Sequence, residues 1–158
     1  MNLEKSSSMD KTDREILMQL QVNAKQNTKE IATKVGLTVT PTYERIKKLE
    51  QKGYVKNYVA LLDRNLIGKQ IISYCQITLY KHQRELIDIF KDSILNLSEV
   101  MECHHVSGNF DFLLKISVND MNQFQEFINK KLSVVEGIST IQSSFVMNSF
   151  KDTTVFDL

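Results

Sequence analysis

Residues 28–53 constrain the fold of this chain more than any other stretch, because they allow two short helices joined by a tight turn and little else. Ile31, Ala32 and Val35 fall at i, i+1 and i+4, one apolar side of a helix. Gly36 follows at once, where a helix needs a residue that accepts positive φ in order to stop. Leu37 closes the turn, Thr38 or Thr40 is placed to cap a new helix, and Pro41 is tolerated in its first turn. In that second helix Tyr43, Ile46 and Leu49 fall within about 120° of arc and are expected to pack inward. Thr40, Glu44, Lys47, Lys48 and Gln51 point the other way, with Arg45 on the flank. Such a pair packs one side and offers a basic side to a DNA major groove.

Charge distribution agrees with that reading. The formal net charge is only +1, yet residues 1–60 hold 11 Lys and Arg against 7 Asp and Glu, and residues 61–158 hold 9 against 12. The basic half is the half with the helix pair, which suits a polyanionic partner. A solvated helix face that merely keeps the chain soluble is the plainer reading of the same charges. The 158 residues suffice for one or two small domains. The start, Met-Asn-Leu-Glu-Lys-Ser-Ser-Ser-Met-Asp, lacks the apolar core of a signal peptide, and no apolar run approaches the roughly 18 residues of a membrane span. A cytoplasmic location is therefore expected, with Cys75 and Cys103 as reduced packing residues rather than a disulfide.

Periodicity divides the chain in two. Residues 6–8 are expected to fray, and Asp10 to cap a helix running to about Ala24, with Ile16, Leu17, Leu20 and Ala24 on one face. Helices over 28–35 and 40–52 complete a three-helix unit that Gly53 ends. Residues 54–62 carry β-type side chains around Lys56-Asn57 and predict a short hairpin, a wing or hinge. The expected domains are thus 1–62 and 63–158.

The second half repeats itself. Residues 70–80 alternate, with Ile71, Ser73, Cys75, Ile77 and Leu79 on one side. Residues 84–97 carry Leu86, Ile87, Phe90, Ile94 and Leu97 as a helical stripe. Strands are expected over 100–106 and 110–118, a helix capped by Asp120 with Met121, Phe124, Ile128 and Leu132 on one face, and a last strand over 138–147. The order is βαββαβ, a ferredoxin-like arrangement, so the fold class is α+β: a winged helix-turn-helix followed by a ferredoxin-like domain. Both helices of that domain cover one sheet face. The other, with Ile72, Tyr74 and Tyr80 as candidates, is expected to form an apolar patch that a second copy covers. Two-fold symmetry would also pair the helix-turn-helix units on DNA.

With both halves placed, the chain resembles the Lrp/AsnC family of transcription regulators from about Asp10 to Met147. The opening Met-Asp-Lys-Thr-Asp-Arg-Glu-Ile-Leu is similar to that family's first-helix signature, Leu-Asp-x-x-Asp-x-x-Ile-Leu. Residues 35–53 resemble its recognition-helix block, although Thr38-Val39 stands where Ser-Pro is frequent. Glu102-Cys-His-His-Val-Ser-Gly-Asn-Phe-Asp-Phe-Leu-Leu-Lys115 resembles its effector-domain signature, with Asn109 where an acidic residue is common. The resemblance implies DNA contacts from Thr38, Thr40, Thr42, Glu44, Arg45, Lys47, Lys48 and Gln51. Among these, the basic side chains suit phosphates or guanine edges, and the threonines and Gln51 suit bases or backbone. It implies a small amino-acid effector bound between subunits, with His105, Gly108, Asn109, Phe110, Asp111, Met121, Ser144, Phe145 and Val146 lining the pocket. Gly108 would let the backbone approach the ligand, loop amides would meet its carboxylate, and Asp111 its ammonium group. A plain β-turn over 108–111 is the alternative. The implied assembly is a homodimer that builds an octamer or similar ring.

No other chemistry competes strongly. Glu102, Cys103, His104 and His105 suggest a metal, but consecutive strand residues point to opposite faces, so no metal or other cofactor is expected. No nucleophile–base pair and no glycine-rich phosphate loop is present, so no enzyme is expected. A DNA-organising protein with little sequence preference is the alternative to a sequence-specific regulator.

Overall fold

The computed structural model describes residues 9–81 and 83–158, so the expected fraying of 6–8 lies outside the described residues. The chain forms two compact units. One runs to Ala60 and takes in Lys151–Leu158, and the other is Leu61–Phe150.

Three helices build the first unit: α1 (Lys11–Val22), α2 (Thr28–Lys34) and α3 (Val39–Gln51). Asp10 caps α1 by accepting the Asp13 amide at 2.7 Å. A reciprocal capping box starts α2, with Asn27 Oδ1 taking the Glu30 amide and Glu30 Oε2 taking the Asn27 amide. Gly36 then turns the chain at φ +69°, a conformation that excludes most side chains. Thr38 sits at the N-cap of α3, but its side chain makes no capping bond. Ile16, Leu17, Leu20, Ile31 and Leu49 form the buried centre, with Ile46 packed against it.

Details of α3 correct the sequence reading. Thr42 is completely buried and Tyr43 is 47% exposed. The inward ridge is therefore 42, 46 and 49, an i, i+4, i+7 row, and Tyr43 belongs to the outer side. Residues 54–62 form no hairpin; they run as irregular chain without a strand. Tyr58 ties this segment to α3, its hydroxyl donating to Glu50 Oε1 at 2.9 Å. Partial burial and that carboxylate push the phenol up to about 12. Residues 151–158, expected in the second domain, pack on the helical unit instead. Gln21 donates to the Phe156 carbonyl at 3.0 Å and accepts the Phe156 amide at 2.7 Å.

In the second unit β1 (Ile71–Leu79), α4 (Arg84–Leu95), β2 (Val100–His105), β3 (Phe112–Val118), α5 (Met121–Phe127) and β4 (Ile138–Phe145) follow the expected βαββαβ order. A π-helical turn, Ile128–Leu132, extends α5. The sheet order is β2-β3-β1-β4 and every pairing is antiparallel. Alternation puts Cys75, Ile77, Leu79, Leu114, Ile116 and Val118 under the helices, against Phe90, Ile94, Phe127 and Leu132. Phe90 stacks on Phe112 with ring centroids 4.4 Å apart.

The register puts Ile72 and Tyr74 on the open face, as expected, with Leu113 opposite Gln76. Around them stand Gln76, Thr78, Lys115, Gln142 and Ser144, so the face is mixed rather than the apolar patch expected. The bulkier exposed apolar run is Val59, Leu61, Leu62, Leu66 and Ile67. Because Phe90 is wholly buried beneath the sheet, Phe90→Ala is expected to cost about 3–5 kcal/mol. Urea unfolding followed by far-ultraviolet circular dichroism measures it.

Candidate DNA-reading helix and ligand-domain residues

One side of α3 is open and charged. Thr40, Glu44, Lys47, Lys48 and Gln51 are exposed along it, and Thr38 is exposed at its start. Tyr43 and Val39, which sequence reasoning did not assign to this side, add an apolar edge. The Lys47 ammonium lies 5.7 Å from the Tyr43 ring centre and 3.5 Å from Glu50 Oε2. Thr42 leaves the list of expected DNA contacts. Its hydroxyl donates to the Thr38 carbonyl at 2.9 Å within the buried side of the helix.

Arg45 is already engaged. Its Nη1 lies 2.6 Å from Asp10 Oδ2 and 2.6 Å from Asp13 Oδ1. The two carboxylates raise the guanidinium's affinity for its proton, Asp10 foremost. The Asp13 amide and then Arg45 hold Asp10 below the usual carboxylate range. A lowered folded-state value means that the Asp10 arm of this bridge is complete above the ordinary carboxylate range and fails only as pH falls through the lowered value. It is therefore intact at neutral pH.

The expected ligand residues separate into two groups at opposite ends of the second unit's sheet. His105 pairs with Phe112, which pairs with Ile77, so the first group lies at the Leu79 end of β1. His105 also stacks on Phe112 with ring centroids 4.8 Å apart. Residues 106–111 form the adjoining turn: the Val106 amide donates to the Asp111 carbonyl at 2.9 Å and the Asp111 amide to the Ile77 carbonyl at 2.8 Å. Gly108 adopts φ +139°, Asn109 is exposed and Phe110 half-buried. The Asp111 carboxylate accepts the Leu79 amide at 2.7 Å, so it also fastens the turn to β1.

The second group lies at the Ile72 end. Ser144 pairs with Tyr74 and Phe145 with Ser73, and the Val146 amide donates to the Ile72 carbonyl at 2.9 Å. Phe145 meets Phe124 edge-on, with ring centroids 4.8 Å apart. Met121 opens α5 just after β3 and is exposed. His105 is level with Ile77 and Ser144 with Tyr74, three strand steps or about 10 Å apart along the sheet. Across the sheet β2 and β4 are three strand spacings or about 14 Å apart, so even these members of the two groups stand more than about 15 Å apart within one chain.

His104 and His105 take separate partners. The former lies 3.3 Å from Glu102, which also binds Lys115 at 2.9 Å. Among the described residues no group of three or more His, Cys, Asp or Glu side chains is arranged to hold a metal. Cys75 is buried beside Ser143, with Sγ 3.2 Å from its Oγ, whereas Cys103 is exposed rather than packed. No helix of the described residues is long and apolar enough to cross a membrane.

Comparison with known proteins decides the family. A model for the Lrp/AsnC ligand binding domain matches residues 72–156, and one for winged helix-turn-helix DNA-binding matches residues 9–56. The chain belongs to the Lrp/AsnC family. The leucine-responsive regulatory proteins of Klebsiella pneumoniae and Escherichia coli are each 33% identical to it over 143 residues, covering 90% of this chain and 87% of theirs. A Neisseria meningitidis transcriptional regulator solved in complex with L-Met superposes with a TM-score of 0.92 at 31% identity, covering 95% of this chain and 97% of that one. An AsnC family regulator from Agrobacterium tumefaciens gives 0.90 at 32% identity, covering 94% and 97%. The chain is thus a transcription regulator of the Lrp/AsnC type, with a DNA-binding helix-turn-helix and a ligand-binding domain. The buried position of Thr42 gives a direct check. Thr42→Val is expected to cost about 1 kcal/mol of stability and to leave DNA affinity unchanged by fluorescence anisotropy.

Proposed function

We propose that this Lrp/AsnC regulator assembles as a homodimer, and from it an octamer or similar ring, whose DNA affinity responds to an amino acid held between subunits. The separation of the candidate ligand residues carries this reading. Groups more than about 15 Å apart in one chain cannot close on one small amino acid, whereas two copies can bring the Leu79 end of one against the Ile72 end of another. The exposed apolar run from Val59 to Ile67 favours self-association. The Neisseria regulator's L-Met complex suggests the class of ligand. Gly108 and the turn amides would meet the ligand carboxylate and Asp111 its ammonium, with His105, Asn109, Phe110, Met121, Ser144, Phe145 and Val146 completing the walls. The second unit, Leu61–Phe150, would carry ligand and assembly, the helical unit the DNA, and the site of action would be the cytoplasm.

On the DNA side, Lys47, Lys48, Thr38, Thr40, Glu44 and Gln51 are the proposed contacts. A DNA-organising role with low sequence preference is the second reading, favoured by the abundance of Lys on the open side of α3. The test uses duplexes that the full chain enriches from a random pool, titrated by anisotropy with and without each amino acid. A regulator is expected to prefer its enriched duplex over random DNA by at least a thousandfold and to shift that affinity with a few amino acids only. A ratio near one supports the organising role instead. Asp111→Asn keeps an acceptor for the Leu79 amide while removing the charge. It is expected to abolish the amino-acid response and leave ligand-free DNA binding intact.

A further inference from the structure

Arg45 changes role between sequence and structure. Its position on α3 suggests a phosphate or guanine contact, yet its guanidinium is bound by two carboxylates of another helix. Asp10 acts twice: Oδ1 caps α1 by taking the Asp13 amide at 2.7 Å, and Oδ2 takes Arg45. The three side chains therefore fasten the first turn of α1 to the middle of α3. Apolar packing between these helices, through Ile16, Leu17, Leu20 and Leu49, favours a class of crossing angles with a scatter of about 15–20° and so selects no single angle. A planar guanidinium bound to fixed carboxylates does set one.

Electrostatics make the alternative costly. If Arg45 turned to a phosphate, Asp10 and Asp13 would lose their cation and stand beside a polyanion. Lys47, Lys48 and Lys52 border the same cleft, and an approaching duplex finds those cations without disturbing the bridge. We infer that Arg45 is a positioning residue, which fixes the angle of the reading helix on α1 through Asp10 and Asp13 and makes no phosphate contact. This rests on the reading of α3 as the DNA-reading helix.

Salt dependence and a double-mutant cycle test it, with the full chain and its enriched duplex. Each lost phosphate contact flattens the plot of log affinity against log salt by roughly 0.9. Lys48→Gln is expected to flatten it by about that amount, which checks the reading of α3 on its own. Arg45→Gln is expected to lower affinity about tenfold with the slope unchanged, as loss of helix angle without a lost phosphate requires. A slope that falls as it does for Lys48→Gln overturns the inference.

Asp13→Asn in the Arg45→Gln background measures the general effect of losing a negative charge near DNA. Relative to that background, Asp13→Asn in the chain that keeps Arg45 is expected to lower affinity about fivefold. An equal or higher affinity would mean that Asp13 only competes with DNA for Arg45, and the inference fails. Asp13→Asn retains an acceptor, so this arm stands even if Arg45→Gln proves poorly folded, with Asp13→Asn then compared against Glu15→Gln as the charge control.

Discussion

The central strand β1 is the constraint on which the second unit depends. It pairs with β3 on one side and β4 on the other, and β2 joins the sheet through β3. Its helix-facing residues Cys75, Ile77 and Leu79 form the middle of the core. Its ends fix where the ligand-domain signature can stand. The turn after β2 is held at one end by the Ile77 carbonyl and the Leu79 amide, and the tail of β4 at the other by the Ile72 carbonyl. A strand of nine residues cannot be shortened to bring those ends together, and on the proposed reading a second copy supplies what one chain holds apart.

The helical unit obeys a different economy. Its core is small, and capping and charge supplement it: the Asn27–Glu30 box starts α2, and Arg45 bridges to the cap of α1. The basic side chains of α3 therefore divide by the direction they face. Lys47 and Lys48 face out from α3, where DNA is proposed to meet them, while Arg45 faces back to Asp10 and Asp13. Counting Lys and Arg on one helix overstates what that helix offers to phosphate.

Much of this was legible in the sequence because it rests on short-range rules. The alternation over 71–79, the Asp10 and Asp120 caps and the Gly36 turn are each set by neighbouring residues, and the structure has them all. The two signature blocks carried the family. What failed was decided at longer range. A wheel that accepts Tyr43 as readily as Thr42 cannot tell that Thr42 is the one buried and Tyr43 the one left exposed. The hairpin expected at 54–62 had β-type residues but no partner strand, and Tyr58 is drawn to Glu50 instead. Nothing local marks residues 151–158 as returning to α1, since the decisive partner, Gln21, lies 135 positions earlier. The candidate ligand residues were the least legible part: their names came with the family, but their division between two ends of the sheet needed the register.

The most direct test of a ligand site shared between copies is complementation between two defective protomers, one carrying Asp111→Asn and the other Met121→Arg. Each substitution lies in a different group, and Met121 is exposed enough for the change to spare the fold. The two proteins are purified separately, mixed under conditions where subunits exchange, and titrated by calorimetry with whichever amino acid the intact protein binds. A shared site predicts no binding by either protein alone and recovered binding, at a fraction of the intact stoichiometry, in the mixture. A mixture as inert as its two components would place the whole site within one chain and contradict the account.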